Sequence, residues 1–374
     1  MSTEIKLVQS KKDLKTFIYL PEKINAGYSN WLPPIFMDEW SFFQPKSNKS
    51  FSYCDTFLAL AYKDGKACGR IMGIINRQYN ELHNEPYARF YGLESTNDKE
   101  VLHSLLKYAE DWARKNGMKK VIGPLGFSDK DPQGLLIEGF DVPVVIVSPC
   151  NQEYLVKLVE GEGYTKFRDL VDYKLEIPEE IPELYRKISE RTQKNGSYHL
   201  HTFKTKRELK HWIKPVFKLI NDTYKHIYGF VPLSDKEIDE LVAKYLPLLD
   251  PRFVKIITND AAETIAFVVA MPDLSEGVKK ARGRILPFGI FYILRSAKKT
   301  NRLVTMLGAI KEEYRGKGLD TLMGIELFES AYKAKLKEID SHLILEVNTR
   351  MRSEYERMGA LIHKRFRIFE KNLE

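Results

Sequence analysis

Two stretches of the chain place apolar runs on either side of a turn signal. Residues 57–63, FLALAYK, and 67–75, ACGRIMGII, flank Asp64-Gly65, and a second candidate lies at 253–271, FVKIITNDAAETIAFVVAM. Asp-Gly between apolar runs is a strong short-range signal, because it supplies the left-handed residues that two-residue hairpins need. Each stretch is therefore predicted to form a β-hairpin.

Helical periodicity follows the first hairpin. Val101, Leu105 and Ala109 recur at helical spacing behind a capping signal at Asn97 or Asp98. Apolar residues four apart lie on one face of a helix, and Asn or Asp can satisfy its free N–H groups. An amphipathic helix is predicted here.

The second half of the chain repeats this order of elements. Asn151 and Gly163 have counterparts in Asn348 and Gly359 at nearly the same offset. The pattern predicts a strand at 303–310, a helix at 320–337, a strand at 342–348 and a helix after Asn348. Two copies of such an order indicate two α/β domains with mixed sheets.

The division between the copies is expected where Pro and charged residues collect. The segment IPEEIPELYRKISERTQKNG has this composition, which is typical of a connection between domains. The predicted organisation is a first domain at 1–177, a linker helix at 178–196 and a second domain at 197–374.

Composition narrows the function only a little. The 59 basic and 51 acidic residues give a net charge of +8, which favours anionic partners such as nucleotides, RNA or anionic lipid. The three cysteines form no CxxC pair, so a reducing cytoplasm is expected. No run approaches the ~20 apolar residues of a membrane span.

One short apolar run stands between basic flanks. Residues 285–294, ILPFGIFYIL, follow KKARGR and precede RSAKK. Such a run is too short to cross a bilayer, and it would suit contact with a membrane surface or cover for an acyl chain. A buried connector is the alternative.

The stretch YRGKGLD joins the predicted strand at 303–310 to the next helix. Its glycines allow a tight turn and close approach to a ligand, and the free N–H groups of a helix start favour an anion. Thirty residues later, Asn348, Met351, Tyr355 and Gly359 follow in a regular rhythm, with Met351 and Tyr355 one helical turn apart. The two motifs together resemble those of the GNAT superfamily of acyl-CoA N-acyltransferases.

The resemblance covers roughly residues 197–374 and implies a fold of two GNAT-like domains, each a mixed, mostly antiparallel sheet flanked by helices, with a degenerate first copy. It implies that acetyl-CoA or a longer acyl-CoA is the acyl donor. Backbone N–H groups of the strand ending at Ile310 would polarise the thioester carbonyl. Asn348 would contact the pantetheine arm, and Tyr355 would protonate the leaving thiolate. The pyrophosphate loop would comprise Arg315, Gly316, Lys317 and Gly318.

Two positions depart from the family pattern. Asp320 stands where the loop usually closes with Gly or Ala, so a carboxylate lies beside the expected pyrophosphate, although Asp is also a good residue for a helix start. No general base is obvious. Glu346, which lies among apolar residues, is the candidate, and a carboxylate paired with a basic neighbour is the other interpretation.

Tyr228 and Phe230 are candidate contacts for the acceptor, with core packing as the alternative. His199 and His201 share a strand face, but a metal site is not expected there because no third ligand is near. The predicted function is transfer of an acyl group, above all acetyl, from acyl-CoA to a small-molecule or peptide amine by direct attack. The alternatives are a Fem-like aminoacyl transferase that uses charged tRNA, and an inactive GNAT-like binding protein.

Overall fold

The computed structural model describes residues 2–146, 148–194 and 197–373. In this part of the chain, one mixed sheet of fourteen strands carries helices on its faces. The strands are β1 Glu4–Leu7, β2 Cys54–Lys63, β3 Lys66–Asn76, β4 Tyr87–Ser95, β5 Lys120–Gly123, β6 Leu135–Glu138, β7 Thr165–Glu176, β8 Tyr198–Thr202, β9 Val254–Asn259, β10 Thr264–Pro272, β11 Arg302–Ile310, β12 Glu338–Asp340, β13 Ile344–Leu345 and β14 Leu361–Asn372. The helices are α1 Lys11–Ile24, α2 Phe36–Phe42, α3 Arg77–His83, α4 Lys99–Lys115, α5 Glu153–Gly161, α6 Glu183–Lys194, α7 Lys206–Leu209, α8 Ile213–Thr223, α9 Asp235–Tyr245, α10 Ser275–Lys280, α11 Gly289–Lys299, α12 Leu319–Lys333 and α13 Thr349–Arg357.

Both predicted hairpins are present, as β2–β3 and β9–β10. Asp64 and Gly65 both have positive φ, which is the conformation that the Asp-Gly signal indicated. The Asp98 side chain caps α4, and Val101, Leu105 and Ala109 on that helix are buried. These local predictions are confirmed.

The two halves of the chain exchange their last long strands. The sheet order is β1-β2-β3-β4-β5-β14-β7-β12-β11-β10-β9-β8. Thus β14, from the end of the chain, lies between β5 and β7, and β7, from the first half, lies between β14 and β12. Of the pairs in this order only β4–β5 and β11–β12 are parallel. The centre of the sheet is therefore built from both halves.

The hydrophobic clusters follow this exchange. Phe369 of β14 packs into the cluster of the first half beside α4 and α5. Val171 and Tyr173 of β7 pack into a cluster of the second half beside α12 and α13. Each half buries apolar residues of the other, so the apolar burial that stabilises one half depends on the other.

Two predicted elements are wrong in detail. The strand expected at 342–348 is reduced to Ile344–Leu345, and the strand that pairs with β11 is Glu338–Asp340 instead. His342 has a φ of 56°, which interrupts the strand. After this residue the chain no longer pairs with β11 and pairs only with β7. The helix expected at 320–337 ends at Lys333, because Lys335 has a φ of 61°.

None of the helices in the described residues is both long and apolar enough to cross a membrane.

Candidate active site

The strands β11 and β12 separate at the middle of β11. They pair only from Arg302 to Val304 and from Glu338 to Asp340, while β11 continues to Ile310. A bulge lies just past this point, where Met306 interrupts the register of β11 against β10. Bulges redirect side chains and often lie beside active sites. Beyond Val304, one edge of β11 therefore faces an opening between the two strands.

The RGKG loop follows the far end of β11 and opens α12. Gly316 and Gly318 have φ values of 73° and 82°, which glycine adopts without strain. Open space surrounds the position of a Cβ on Gly316, whereas a Cβ on Gly318 would lie 2.5 Å from Thr192 Oγ1. The loop therefore has one face open to a ligand, and its other face packs against α6.

The two cationic side chains of the RGKG loop, Arg315 and Lys317, have different surroundings. The Arg315 Nε donates a hydrogen bond of 3.0 Å to the Ile310 carbonyl, so the guanidinium is tied to the end of β11. Lys317 is exposed and its ammonium lies 5.0 Å from the Tyr314 ring centroid. Asp320 lies in the first turn of α12 and has no ion-pair partner among the described residues. The cofactor contacts expected for these residues stay predictions.

Asn348 begins α13. Its Oδ1 accepts a hydrogen bond of 3.2 Å from the Met351 N–H, so the side chain acts as the N-cap. The helix that begins after Asn348 is confirmed, and Met351 and Tyr355 pack into the same cluster, as their spacing predicted. The N-cap leaves the Asn348 amide NH₂ for another partner, and its contact with a pantetheine arm stays a prediction.

Tyr355 lies where β11 and β12 separate. Its hydroxyl is 2.9 Å from Thr305 Oγ1, which in turn donates to the Asp340 carbonyl oxygen. The ring stacks on Tyr173, with centroids 5.6 Å apart and planes at 15°. Burial raises the pKa of Tyr355, the hydrogen bond with Thr305 lowers it in part, and the Asp340 charge raises it, so that the pKa lies at about 12. The hydroxyl therefore keeps its proton at neutral pH, as a proton donor must.

Glu346 has a different environment from the one expected. Instead of lying among apolar residues, its carboxylate forms ion pairs with Lys166 of β7 and, at 3.1 Å, with Arg365 of β14. These strands meet only because the halves exchange β7 and β14. A paired carboxylate is the arrangement that the structure shows, and a role for Glu346 as general base is only a prediction.

Tyr228 and Phe230 pack between the halves. The Tyr228 hydroxyl donates a 2.9 Å hydrogen bond to Glu85, and its ring lies against Phe167. Phe230 is buried in a cluster with Val216 of α8. Core packing accounts for both residues, and a contact with the acceptor stays a prediction. His199 and His201 contact Asp260 and Thr258, respectively.

A cavity of about 590 Å³ opens at the opposite end of β11 from the RGKG loop. It is lined by Pro143 and Val144 of the first half, and by residues of α10, α11 and the start of β11. Asp273 and Glu276 contribute carboxylates, and Arg302 lies two residues before Val304. Two strand residues span about 7 Å, so the cavity lies close to the point where β11 and β12 separate.

Comparisons with known proteins agree with this architecture. No protein-family model matches the chain. A bacterial ceramide synthase of Caulobacter vibrioides is 27% identical over 377 residues, covering 98% of this chain and 96% of that protein. Protein YghO of Escherichia coli is 27% identical over 376 residues, covering 97% and 94%.

Solved structures show the fold. A tandem GNAT protein from the clavulanic acid biosynthesis pathway aligns with a TM-score of 0.56 at 11% identity, covering 100% of this chain and 99% of that one. A GCN5-related N-acetyltransferase from Sphaerobacter thermophilus aligns at 0.51 and 12% identity, covering 100% and 96%. The chain therefore has a tandem GNAT-like fold, and the resemblance seen in its motifs is confirmed at the level of the fold.

Proposed function

We propose that this protein is an acyl-CoA-dependent N-acyltransferase. The proposal rests on one observation: the two motifs that would bind and act on an acyl-CoA both adjoin strand β11. The opening between β11 and β12 has the Tyr355 hydroxyl at its apex, and the RGKG loop follows the far end of the same β11. An acyl-CoA in this opening would place its pyrophosphate at the loop and its thioester near Tyr355. An amine would attack the carbonyl directly, and Tyr355 would protonate the thiolate.

The acceptor in this proposal is a long-chain amine, and the donor is a long-chain acyl-CoA in preference to acetyl-CoA. Similarity to the Caulobacter ceramide synthase over nearly the whole chain supports this choice, because a ceramide is the amide of a fatty acid and a long-chain amino alcohol. The acceptor would enter through the cavity at the start of β11, whose lining combines two carboxylates, Asp273 and Glu276, with the cations Lys280, Arg295, Lys299 and Arg302.

Calorimetric titration with acetyl-CoA and palmitoyl-CoA, followed by mass spectrometry of products from a long-chain amino alcohol, tests the proposal. We expect palmitoyl-CoA to bind and the amide to form. A folded protein that binds neither CoA ester would contradict the function. Stronger binding of charged tRNA than of either ester would instead favour aminoacyl transfer.

Asp320 distinguishes an enzyme from an inactive binding protein. Burial and the Asp320 charge raise the pKa of nearby Glu354, and nearby arginines, Arg315 among them, lower it in part, so that the pKa lies at about 7. Arg315 and Lys317 of the same loop supply positive charge near the Asp320 carboxylate, so we expect an anion to bind there. We expect Asp320→Gly to change CoA affinity less than about fivefold. A gain of a hundredfold or more would mean that the native carboxylate closes the loop.

The protein also contacts a membrane surface in this proposal, through a patch that we call the α11 patch, residues 286–299. It exposes Leu286, Phe288 and Phe291, each at least 66% accessible, together with Tyr292 and Leu294. Exposed cations follow on the same helix, namely Arg295, Lys298 and Lys299. Apolar and aromatic side chains with adjacent cations suit insertion into an anionic bilayer. The patch borders the cavity, so a lipid acceptor would have a short route to it.

Flotation of the full chain with vesicles of phosphatidylcholine, with and without phosphatidylglycerol, tests this contact. We expect binding to the anionic vesicles, and a loss of about a hundredfold or more in Leu286→Ser/Phe288→Ser/Phe291→Ser. The matched control, Leu82→Ser/Leu184→Ser/Tyr332→Ser, changes three other exposed apolar or aromatic residues, which lie outside the patch, and should bind normally. Equal loss in both variants, or no binding by the native chain, would contradict the contact.

A further inference from the structure

Four charged or titratable side chains meet beneath Tyr355, at the junction of β7, β12 and β14. His363 Nε2 lies 3.4 Å from Asp172 Oδ2 and 3.4 Å from Asp340 Oδ2. The Lys364 ammonium lies 3.6 Å from Asp172 Oδ2 and 3.1 Å from His363 Nε2. The side chains of Asp172, Asp340 and Lys364 are at most 1% exposed, and that of His363 is 13% exposed. We call this group the junction cluster.

A bulge in β14 creates the junction cluster. Successive residues of a strand normally point to opposite faces. The register of β14 against β7 slips between Ile362 and Lys364, so that His363 has no direct partner and Lys364 pairs with Asp172. The bulge lets both side chains reach Asp172. A Cβ on Gly139 would lie 2.3 Å from the His363 carbonyl oxygen, so the glycine permits close packing around the bulge.

The junction cluster is poorly satisfied by hydrogen bonds. Oδ2 of Asp172 and Oδ2 of Asp340 lie at ion-pair distance from His363. Neither of these oxygens, nor Oδ1 of Asp172, has a well-oriented hydrogen bond among the described residues. A buried carboxylate is costly unless it is fully paired. Two aspartates and a histidine this close also resemble a metal-binding set, yet the Lys364 ammonium already supplies a cation at this point.

The pKa values of His363, Asp172 and Asp340 are all shifted from their ordinary range. Burial would raise the pKa of Asp340, but the contact with His363 and the Lys364 charge lower it to about 2. Burial alone would lower the pKa of His363, but the two carboxylates raise it on balance. Burial and the Asp340 charge raise the pKa of Asp172. Charged and titratable groups face His363 from β7, β12 and its own strand, and Tyr355 of α13 connects to Asp340 through Thr305.

We propose that His363 is the general base of acyl transfer, held by Asp172 and Asp340. This assignment rests on the proposed function. The amine nitrogen bonds to the thioester carbon and the C–S bond breaks. One amine proton passes to His363 Nδ1, because Nε2 faces the two carboxylates and carries its own proton toward them, and the thiolate takes the hydroxyl proton of Tyr355. The proton on His363 then restores the tyrosine, directly or through solvent, so the products are the amide and the free thiol.

The pH–rate profile of His363→Asn, with His199→Asn as the matched control on an exposed strand, tests the assignment. We expect kcat to fall about a hundredfold or more in His363→Asn, while the affinity for palmitoyl-CoA stays unchanged. The native rate should rise as pH increases and His363 loses its proton, and this rise should be absent from the variant. His199→Asn should behave like the native chain. Asp340→Asn removes one of the carboxylates that raise the pKa of His363, so the rise in rate should move to lower pH. This variant tests the assignment of the base even if His363→Asn does not fold.

The outcomes separate the two proposals. If palmitoyl-CoA binds and turns over normally in His363→Asn, or if Asp340→Asn leaves the profile unmoved, the base is wrong and the acyltransferase stands. If the native chain binds no acyl-CoA, both proposals fall. A stoichiometric metal in the purified native chain, lost in His363→Asn, would replace the base with a metal site.

Discussion

Removal of the Tyr355 hydroxyl is the sharpest test of the chemistry proposed at the opening between β11 and β12. Tyr355→Phe keeps the ring on Tyr173 and loses one hydrogen bond, the 2.9 Å contact with Thr305. One such bond contributes about 1 kcal/mol to stability. A proton donor contributes about a hundredfold or more to the rate, or roughly 2.7 kcal/mol of the barrier. The loss of rate should therefore far exceed the loss of stability.

The assay is release of free thiol from palmitoyl-CoA with a long-chain amine, followed at saturating substrate. Thermal unfolding measures stability, and calorimetry measures palmitoyl-CoA binding, which should be unchanged. Tyr173→Phe is the matched control, because the Tyr173 hydroxyl bonds to Glu356 and Arg352 and lies in the same stack. We expect its rate to stay within about threefold of the native rate.

Two results would refute this reasoning. An unchanged rate in Tyr355→Phe would show that another group, or water, protonates the thiolate. An equal fall in both variants would show that the rate depends on the packing of the aromatic pair and not on the Tyr355 hydroxyl.

Two further predictions concern the loop and the centre of the sheet. Both Gly316→Ala and Gly318→Ala should lose about 1 kcal/mol of unfolding free energy, because both positions have positive φ. Thermal unfolding should show a larger loss for Gly318→Ala, where Thr192 obstructs the new Cβ. Adding Thr192→Ala to Gly318→Ala should remove this additional loss. Asp169→Asn should lose about 3 kcal/mol at neutral pH, because it breaks a two-bond contact with Arg367 across β7 and β14. Burial would raise the pKa of Asp169, but Arg367 and Lys166 lower it on balance below the ordinary value of 3.8. This stability is therefore present above the ordinary pKa and is lost as pH falls through the lower folded pKa. The free energies of urea unfolding of the native and variant chains should converge as pH falls from about 5 to about 2. A constant difference over that range would contradict the ionic origin, and equal losses in the two glycine variants would contradict the obstruction by Thr192.

Elements with local signals could be predicted from the sequence. The Asp64-Gly65 turn, the face of α4 and the start of α13 at Asn348 each depend on residues within a few positions of one another. The RGKG loop and the motif that begins at Asn348 could be assigned to one site, because GNAT-like proteins carry such motifs in the same order along the chain. For the same reason, Tyr355 could be named before its contact with Thr305 was known.

The exchanged strands could not be predicted, since hydrophobic patterns do not say which strands pair. A strand of either half offers similar apolar faces to β5 and to β12. Which strand pairs with which depends on contacts between residues almost two hundred positions apart in the sequence, such as Arg367 with Asp169. Glu346 shows the consequence. Its sequence neighbours are apolar, but the exchange places Lys166 and Arg365 beside its carboxylate.

The exchange also explains why the junction cluster escapes sequence analysis. Asp172, Asp340 and His363 each lie in a strand that carries at least one other charged residue, and a polar residue in such a strand is usually a solvated position on a half-exposed face. Only the order β14-β7-β12 brings them together, and it takes Asp172 from the half that lacks the RGKG loop. A half that lacks the cofactor loop therefore still supplies a side chain to the chemistry proposed here. Strand exchange places β7 of that half between the strands that carry Asp340 and His363, so a substitution in either half can alter the same proposed site.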